Sequence, residues 1–154
     1  MRTKAIFAIV LPVFCCGVYG QANNVQQATR STESRSVWDG VYTEEQAKRG
    51  EALYRKECAS CHGDTLGGGG GAAPLTGGAF LSNWNGLTLG DLFERIRKTM
   101  PQGNLGKLSK QQDADVLAYV LSFNKFPAGK AEMSRQVEFL REIRFAATRP
   151  ASDK

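Results

Sequence analysis

The spacing of apolar residues predicts three helices, and the first of them leads directly into two closely spaced cysteines. This helix begins at Thr43, where the Gln46 side chain can return a hydrogen bond to the Thr43 amide and complete a capping box. Gly50 and Tyr54 then share one face, and the pattern continues as far as Cys58. The segment is therefore predicted to be an amphipathic helix that ends at the first of these cysteines.

The second and third predicted helices have the same kind of start, and both carry a continuous apolar face. The second begins at Thr88 with a capping box and ends after Met100, because Pro101 cannot continue a helix. The third begins in the same way at Ser109. Their apolar faces consist of Leu89, Leu92, Phe93 and Ile96 in the second helix and Val116, Leu117, Val120 and Leu121 in the third. Since no convincing strand alternation or internal repeat occurs, the chain is predicted to be all-α.

The N-terminus has the layout of a secretory signal peptide. Residues 1–4 carry two basic side chains, residues 5–18 are almost entirely apolar, and small residues precede Gln21. We therefore assign residues 1–20 to a signal peptide and predict an exported, periplasmic protein. The alternative is an uncleaved signal that acts as a membrane anchor, although the apolar stretch is short for a membrane span.

Composition divides the rest of the chain into three parts. Residues 21–36 are polar and are predicted to form a disordered leader. Residues 37–129 contain the three predicted helices and form a domain so small that a bound cofactor is expected to complete its core. Residues 130–154 mix apolar and charged side chains at helical spacing, which predicts one amphipathic helix that packs on the domain or docks to a partner.

The most specific chemical signal is the run CASCH at residues 58–62, the attachment motif of a c-type haem. In such a motif two thiols form thioethers with the haem vinyl groups, and the adjacent histidine ligates the iron. His62 is also the only histidine of the sequence. We therefore predict one covalent haem c that is attached through Cys58 and Cys61 and ligated by His62.

Other interpretations of the two cysteines fit the sequence less well. A structural zinc site needs about four nitrogen or sulfur ligands, and the chain supplies three once Cys15 and Cys16 leave with the signal peptide. A thioredoxin-like redox pair is expected beside a βαβ pattern, which is not found. A structural disulfide would leave His62 and the residues after it unexplained.

The second axial position of the iron is filled by another ligand or left open. Methionine is the next common ligand after histidine, and the sequence offers Met1, Met100 and Met133. Met1 leaves with the signal, and Met133 follows the predicted core. Met100 lies at a helix end, on a loop constrained by Pro101, so we predict His62/Met100 ligation, with core filling as the alternative role of Met100. Such ligation saturates the iron and suits electron transfer.

The formal charge of +5 is a weak argument for binding to nucleic acid. Arg2 and Lys4 belong to the predicted signal peptide, and haem propionates would offset part of the remaining charge. No basic stripe interleaved with aromatic residues is present. Nucleic acid is therefore not expected as a partner, whereas local basic patches could dock an acidic protein.

Taken together, the stretch 41–126 resembles the class I cytochrome c fold. The resemblance rests on Gly50 and Tyr54, the CASCH motif, Pro74-Leu75, Thr99-Met100-Pro101 and the run DVLAYV at residues 115–120. It implies three main helices around one covalently bound haem, in which the first and last helices cross at Gly50 and Tyr54. With residues 130–154 added, the expected architecture is this fold and one extra C-terminal helix.

The same resemblance implies two further contacts to the haem or its ligand. The backbone carbonyl of Pro74 would accept a hydrogen bond from Nδ1–H of His62 and so fix the tautomer of the ligand, with an ordinary loop proline as the alternative. The indole N–H of Trp84 would donate to a haem propionate, with packing in the core as the alternative role of this side chain.

A finer resemblance concerns the redox partner. Residues 38–42, 79–84, 92–101 and 126–129 are similar to those of periplasmic cytochromes encoded with or fused to quinoprotein dehydrogenases. This implies an electron carrier, not an enzyme, that accepts electrons from a periplasmic dehydrogenase and passes them to an oxidase or another cytochrome of the respiratory chain. The alternatives are a haem enzyme or a gas or redox sensor with an open distal site, and a fixed cytochrome subunit of a dehydrogenase complex.

Overall fold

The computed structural model describes residues 35–151, which form helices joined by turns and loops. The helices are α1 (Glu44–Glu57), α2 (Ala59–His62), α3 (Gly77–Trp84), α4 (Leu89–Thr99), α5 (Lys110–Phe123) and α6 (Val137–Leu140). Extended residues in this range pair only through isolated bridges, so the all-α prediction is confirmed. The predicted signal peptide and nearly all of the predicted leader lie outside the described residues. No helix within residues 35–151 is long and apolar enough to span a bilayer.

The three predicted helices are confirmed as α1, α4 and α5. Thr88 and Ser109 each accept a hydrogen bond from the backbone at the third helical position, and both capping boxes are complete. At the start of α1 the Thr43 hydroxyl accepts from the Gln46 amide at 3.1 Å. These caps satisfy backbone N–H groups that have no partner within the helix, which explains why the starts were visible in the sequence.

The second hydrogen bond of the capping box predicted for α1, from the Thr43 amide to the Gln46 side chain, is not formed, so this part of the prediction is wrong. The Gln46 side chain is fully buried and turns away from Thr43. Its Nε2 donates to the backbone carbonyl of Met133 at 3.2 Å, and its Oε1 accepts from the Met133 amide at 2.7 Å. A buried amide side chain is stabilised when both of its ends are paired, and Met133 offers a donor and an acceptor together.

The crossing of α1 and α5 is the main helix–helix contact of the domain. A Cβ atom at Gly50 would collide with the carbonyl oxygen of Asp115, so the two backbones approach each other more closely than a side chain would allow. The rings of Tyr54 and Tyr119 lie 5.3 Å apart beside this contact. The predicted crossing at Gly50 and Tyr54 is therefore confirmed.

Helix α3 was not expected from the sequence. It starts with Gly77 and Gly78, which favour helix less than other residues except proline, and its N-cap residue Thr76 makes no side-chain capping bond. Phe80 is its one buried residue. A short helix with one anchor and no cap has little local signal, and tertiary packing determines its conformation.

The segment 130–154 does not form the single helix predicted for it. Among its described residues only α6 is α-helical, and the backbone of the following residues bonds to other parts of the domain. The Phe145 amide donates to the Leu87 carbonyl at 2.8 Å, and the Phe145 carbonyl accepts from the Gly86 amide at 2.9 Å. Helical spacing alone could not reveal these long-range bonds, which replace the bonds of a helix.

The core also continues past Gly129, contrary to the expectation that it would end there. Four side chains of the extension are at most 5% exposed and belong to the same cluster as the residues of α1, α4 and α5: Met133, Leu140, Ile143 and Phe145. The Phe145 ring lies 5.9 Å from that of Phe80 and 5.3 Å from that of Phe126. The extension therefore packs on the domain, which is one of the two roles expected of it, and its side chains join the core.

Candidate functional site

The CASCH motif follows α1 without a break in hydrogen bonding. The Cys58 amide donates to the Tyr54 carbonyl at 2.9 Å, and the His62 amide donates to the Cys58 carbonyl at 2.9 Å. The motif thus forms one helical turn, α2, directly at the end of α1. Cys58 is half-buried, Cys61 is exposed, and both are free thiols.

The imidazole of His62 is held in place by a backbone carbonyl. His62 is 9% exposed, and its Nδ1 lies 2.8 Å from the carbonyl oxygen of Ala73. Because a carbonyl only accepts, Nδ1 carries a proton, and in the neutral imidazole Nε2 then keeps its lone pair. This is the tautomer of a histidine that binds a metal through Nε2.

The acceptor is Ala73, so the prediction of Pro74 is wrong by one residue. The residue before a proline is restricted to extended conformations, and successive carbonyls of an extended chain point to opposite sides. When the Ala73 carbonyl faces His62, the Pro74 carbonyl cannot do so as well. The predicted interaction is present, but its register depends on the path of the loop.

The loop between His62 and Ala73 is tightly folded. The Gly68 amide donates to the His62 carbonyl at 2.9 Å, and Gly69 and Ala72 exchange backbone hydrogen bonds. Gly68 has a positive φ of 83°, and a Cβ atom there would lie 2.7 Å from the Ala72 carbonyl oxygen. The glycine run therefore builds the turn that returns the chain to the face of His62.

Tyr54 links this loop to the helix crossing. Its hydroxyl donates to the carbonyl of Gly63 at 2.7 Å, one residue after the histidine. The side chain is fully buried, and burial raises its pKa, so the hydroxyl keeps the proton that it donates. One aromatic residue thus packs at the α1–α5 crossing and secures the backbone next to His62.

Met100 lies at the end of α4, as the sequence predicted. Its amide donates to the Ile96 carbonyl at 2.9 Å, and its own backbone is extended. The side chain is half-buried, whereas the other methionine among residues 35–151, Met133, is buried in the core. Ligation of iron by Met100 stays a prediction.

Trp84 is the last residue of α3 and is partly buried. Its ring packs against the core, with its centroid 6.4 Å from that of Phe80. The packing role proposed as the alternative is therefore present. The bond to a propionate stays a prediction.

Within the motif and in later segments of the chain, several hydrophobic side chains are only partly buried. They pack on the core with one side and reach the surface with the other: Cys58, Ala59, Leu75, Leu81, Trp84, Ile96 and Phe123. Together with two free thiols and an oriented imidazole, these residues fit a covalently attached haem. Within residues 35–151, no group of three or more His, Cys, Asp or Glu side chains could hold a metal ion by itself.

Two buried carboxylates on α1 and α5 act on the attachment site. Burial, with the negative charges of Glu57 and Asp113, raises the pKa of the Cys58 thiol to about 11. Burial also raises the pKa of Asp113, and the guanidinium of Arg97 partly opposes this shift. Sequence analysis missed these acids, since nothing local distinguishes them from surface carboxylates.

Comparison with known proteins agrees with the geometry. Residues 45–120, which include nearly all of α1, the motif, Met100 and most of α5, match the family model described as cytochrome c oxidase, cbb3-type, subunit III. The chain contains a class I c-type cytochrome domain. Cytochromes of this kind carry covalently bound haem c and transfer electrons, and both properties extend to this domain.

One solved structure is similar to this chain. It is the sulfane dehydrogenase SoxCD from Paracoccus pantotrophus, with 20% sequence identity and a TM-score of 0.47. The match covers 70% of this chain and 61% of that one, so this chain spans about three fifths of the SoxCD chain. None of the curated proteins matches the chain.

Proposed function

We propose that this cytochrome is an exported single-haem carrier that takes electrons from a periplasmic dehydrogenase and passes them to the respiratory chain. The observation that carries the proposal is the 2.8 Å contact between Nδ1 of His62 and the Ala73 carbonyl. It leaves Nε2 of the sole histidine of the sequence available to bind iron, immediately after two cysteines that could attach a haem. The N-terminal pattern of a signal peptide supports export.

Four side chains would hold the cofactor. Cys58 and Cys61 would attach it through thioethers, and His62 and Met100 would ligate the iron from its two sides. The haem supplies a one-electron couple, whose potential depends on its axial ligands and on the surrounding hydrogen bonds. Thioether ligation by Met100 would raise that potential and leave no open position for a substrate.

The protein's own contribution is to hold the ligands in position. The Ala73 carbonyl prevents rotation of the imidazole and increases its basicity. The half-exposed apolar side chains around the motif would exclude water from most of the haem surface. A protein built in this way changes little when the electron arrives or leaves, which suits a carrier.

The dehydrogenase partner is proposed to be of the quinoprotein type. This rests on the sequence resemblance of residues 38–42, 79–84, 92–101 and 126–129 to cytochromes associated with such enzymes. Acceptors would be an oxidase or another cytochrome. Since a saturated iron has no site for a small molecule, the carrier needs protein partners only.

The visible spectrum of the purified holoprotein tests the ligand set. Oxidised wild type is expected to show the weak absorption band at about 695 nm that reports a methionine–iron bond, and Met100→Ala should lose it. Met133→Leu is the matched control, because it replaces a buried methionine at similar volume and should keep the band. A high-spin wild type that binds CO rapidly would favour the haem enzyme or sensor instead. Intact mass would show the number of haems and the N-terminal processing.

A further inference from the structure

We propose that two buried carboxylates, Asp113 and Glu57, are positioning residues. Through ion pairs with Arg97 and Lys107, they hold the Met100 segment, residues 97–107, against the haem attachment site. The inference rests on the proposed ligation by Met100 and adds the residues that would maintain it. Neither ion pair is local in sequence.

The first ion pair lies before Met100. Nη1 of Arg97 is 2.9 Å from Oδ2 of Asp113, whose side chain is 3% exposed at the start of α5. The guanidinium also lies over the ring of Phe93, 5.8 Å from its centroid, and Phe93 is buried. Arg97 is thus held between an aromatic face and a buried acid, and it fixes the last turn of α4 to α5.

The second ion pair lies after Met100. Nζ of Lys107 contacts Oε2 of Glu57, the last residue of α1 and the neighbour of Cys58. The Glu57 side chain is 8% exposed, and its second oxygen lies 3.8 Å from Nζ of Lys56. This pair therefore fixes the end of the Met100 segment to the end of α1.

The two ion pairs converge on the attachment site. Asp113 belongs to α5 and Glu57 to α1, the two helices that cross most closely, and Glu57 directly precedes Cys58. The segment from Arg97 to Lys107 is therefore fixed at each end to the part of the protein that carries the haem thioethers.

Between these two ends the segment has little other support. Within the segment, two backbone hydrogen bonds close turns. The Asn104 amide donates to the Pro101 carbonyl at 3.0 Å, and the Lys107 amide donates to the Asn104 carbonyl at 3.3 Å. Leu105 is 61% exposed. A segment with so few buried contacts opens easily unless its ends are held, so the position of Met100 depends on the two carboxylates.

Competition with imidazole measures how firmly the methionine is bound. Imidazole displaces Met100 from oxidised iron only when the segment opens, so its apparent affinity reports the population of the open state. Asp113→Asn and Glu57→Gln are each expected to raise that affinity by roughly 3- to 10-fold, the change that corresponds to one weakened hydrogen-bonded pair. Asp113→Glu, which keeps the charge, should restore part of the wild-type value.

Glu94→Gln is the matched control. Glu94 lies on α4 and pairs with Lys98 at 2.9 Å and Arg141 at 2.7 Å, but not with α1 or α5. It should leave the imidazole affinity unchanged. If a buried-acid variant does not fold, Lys107→Gln tests the second pair from its more exposed side and should weaken methionine binding in the same direction.

The outcomes separate this inference from the proposed function. If wild type shows the methionine band and every variant binds imidazole as wild type does, the positioning role is wrong and the ligand assignment stands. If wild type lacks the band, the assignment of Met100 as a ligand is wrong, and the positioning role that rests on it is wrong as well. A lower unfolding temperature with unchanged imidazole affinity would reduce the ion pairs to a role in stability alone.

Discussion

Two backbone carbonyls on either side of the glycine loop hold the histidine region in place. The Ala73 carbonyl receives Nδ1–H of His62, and the Gly63 carbonyl receives the Tyr54 hydroxyl at 2.7 Å. The first bond determines which imidazole nitrogen is free to bind a metal. The second secures the chain where it leaves the motif, so both act on His62 through the backbone.

Replacing Tyr54 by Phe should weaken this arrangement without removing the ring. The Gly63 carbonyl would lose its partner, and the free energy of unfolding of the holoprotein should fall by about 1 kcal/mol in denaturant titrations. Tyr119→Phe is the control, since Tyr119 is half-buried and the same ring packing with Tyr54 is kept. Equal losses in the two variants would contradict the importance of the hydroxyl bond to Gly63.

At the scale of the elements, the domain depends on how closely α1 approaches α5. Gly50 provides the contact surface, and Asp115 on the opposite helix is held by Arg49 through two 3.1 Å hydrogen bonds. Gln111 adds a third bond to the same carboxylate at 2.9 Å. The crossing that positions Cys58 is therefore fixed by close backbone packing and by a buried, fully paired acid.

The variant Gly50→Ala tests this packing. Alanine normally favours a helix by about 1 kcal/mol over glycine, but here its Cβ would strike the Asp115 carbonyl, and overpacking of this kind costs about 1–3 kcal/mol. We expect a net loss in the free energy of unfolding. Gly78→Ala in α3 is the control, because an added Cβ meets nothing within 4 Å there and no positive φ is required. A stabilised Gly50→Ala would show that the helices can separate at little cost.

At the scale of the whole molecule, the C-terminal extension closes the core over α3 and α4. Phe145 is fully buried between Phe80 and Phe126, and the Leu89 amide at the start of α4 donates to the Ile143 carbonyl at 2.9 Å. The extension thus supports the two helices that lead to Trp84 and Met100.

Phe145→Ala should therefore destabilise the holoprotein strongly. Truncation of a buried phenylalanine costs about 3–5 kcal/mol, which is a large part of the stability of a small domain. Phe139→Ala is the control in the same segment, since Phe139 is 55% exposed, and its effect should stay within about 0.5 kcal/mol. Thermal unfolding followed by circular dichroism measures both, and comparable midpoints would contradict a core role for the extension.

Local features of the sequence were sufficient to predict three helices, their caps and the attachment motif. The Thr88 and Ser109 capping boxes, the stop at Pro101 and the CASCH run each lie within a few residues, where short-range hydrogen bonds and steric limits determine the conformation. The close contact at Gly50 could also be predicted, because the resemblance to the class I cytochrome c fold implies that the first and last helices cross there. The sequence by itself was therefore sufficient for the fold class. It also showed that His62 is the one histidine that could bind the iron.

Tertiary structure decided what local chemistry leaves open. Ala73, and not Pro74, faces His62 because the loop path selects one of two opposed carbonyls. Gln46 pairs with Met133, 87 residues away, because burial demands a partner for both ends of its amide. The extension folds onto the core for the same reason: its backbone and apolar groups find partners in distant segments. Contacts of this kind depend on which surfaces the folded chain brings together, and no short stretch of sequence encodes them.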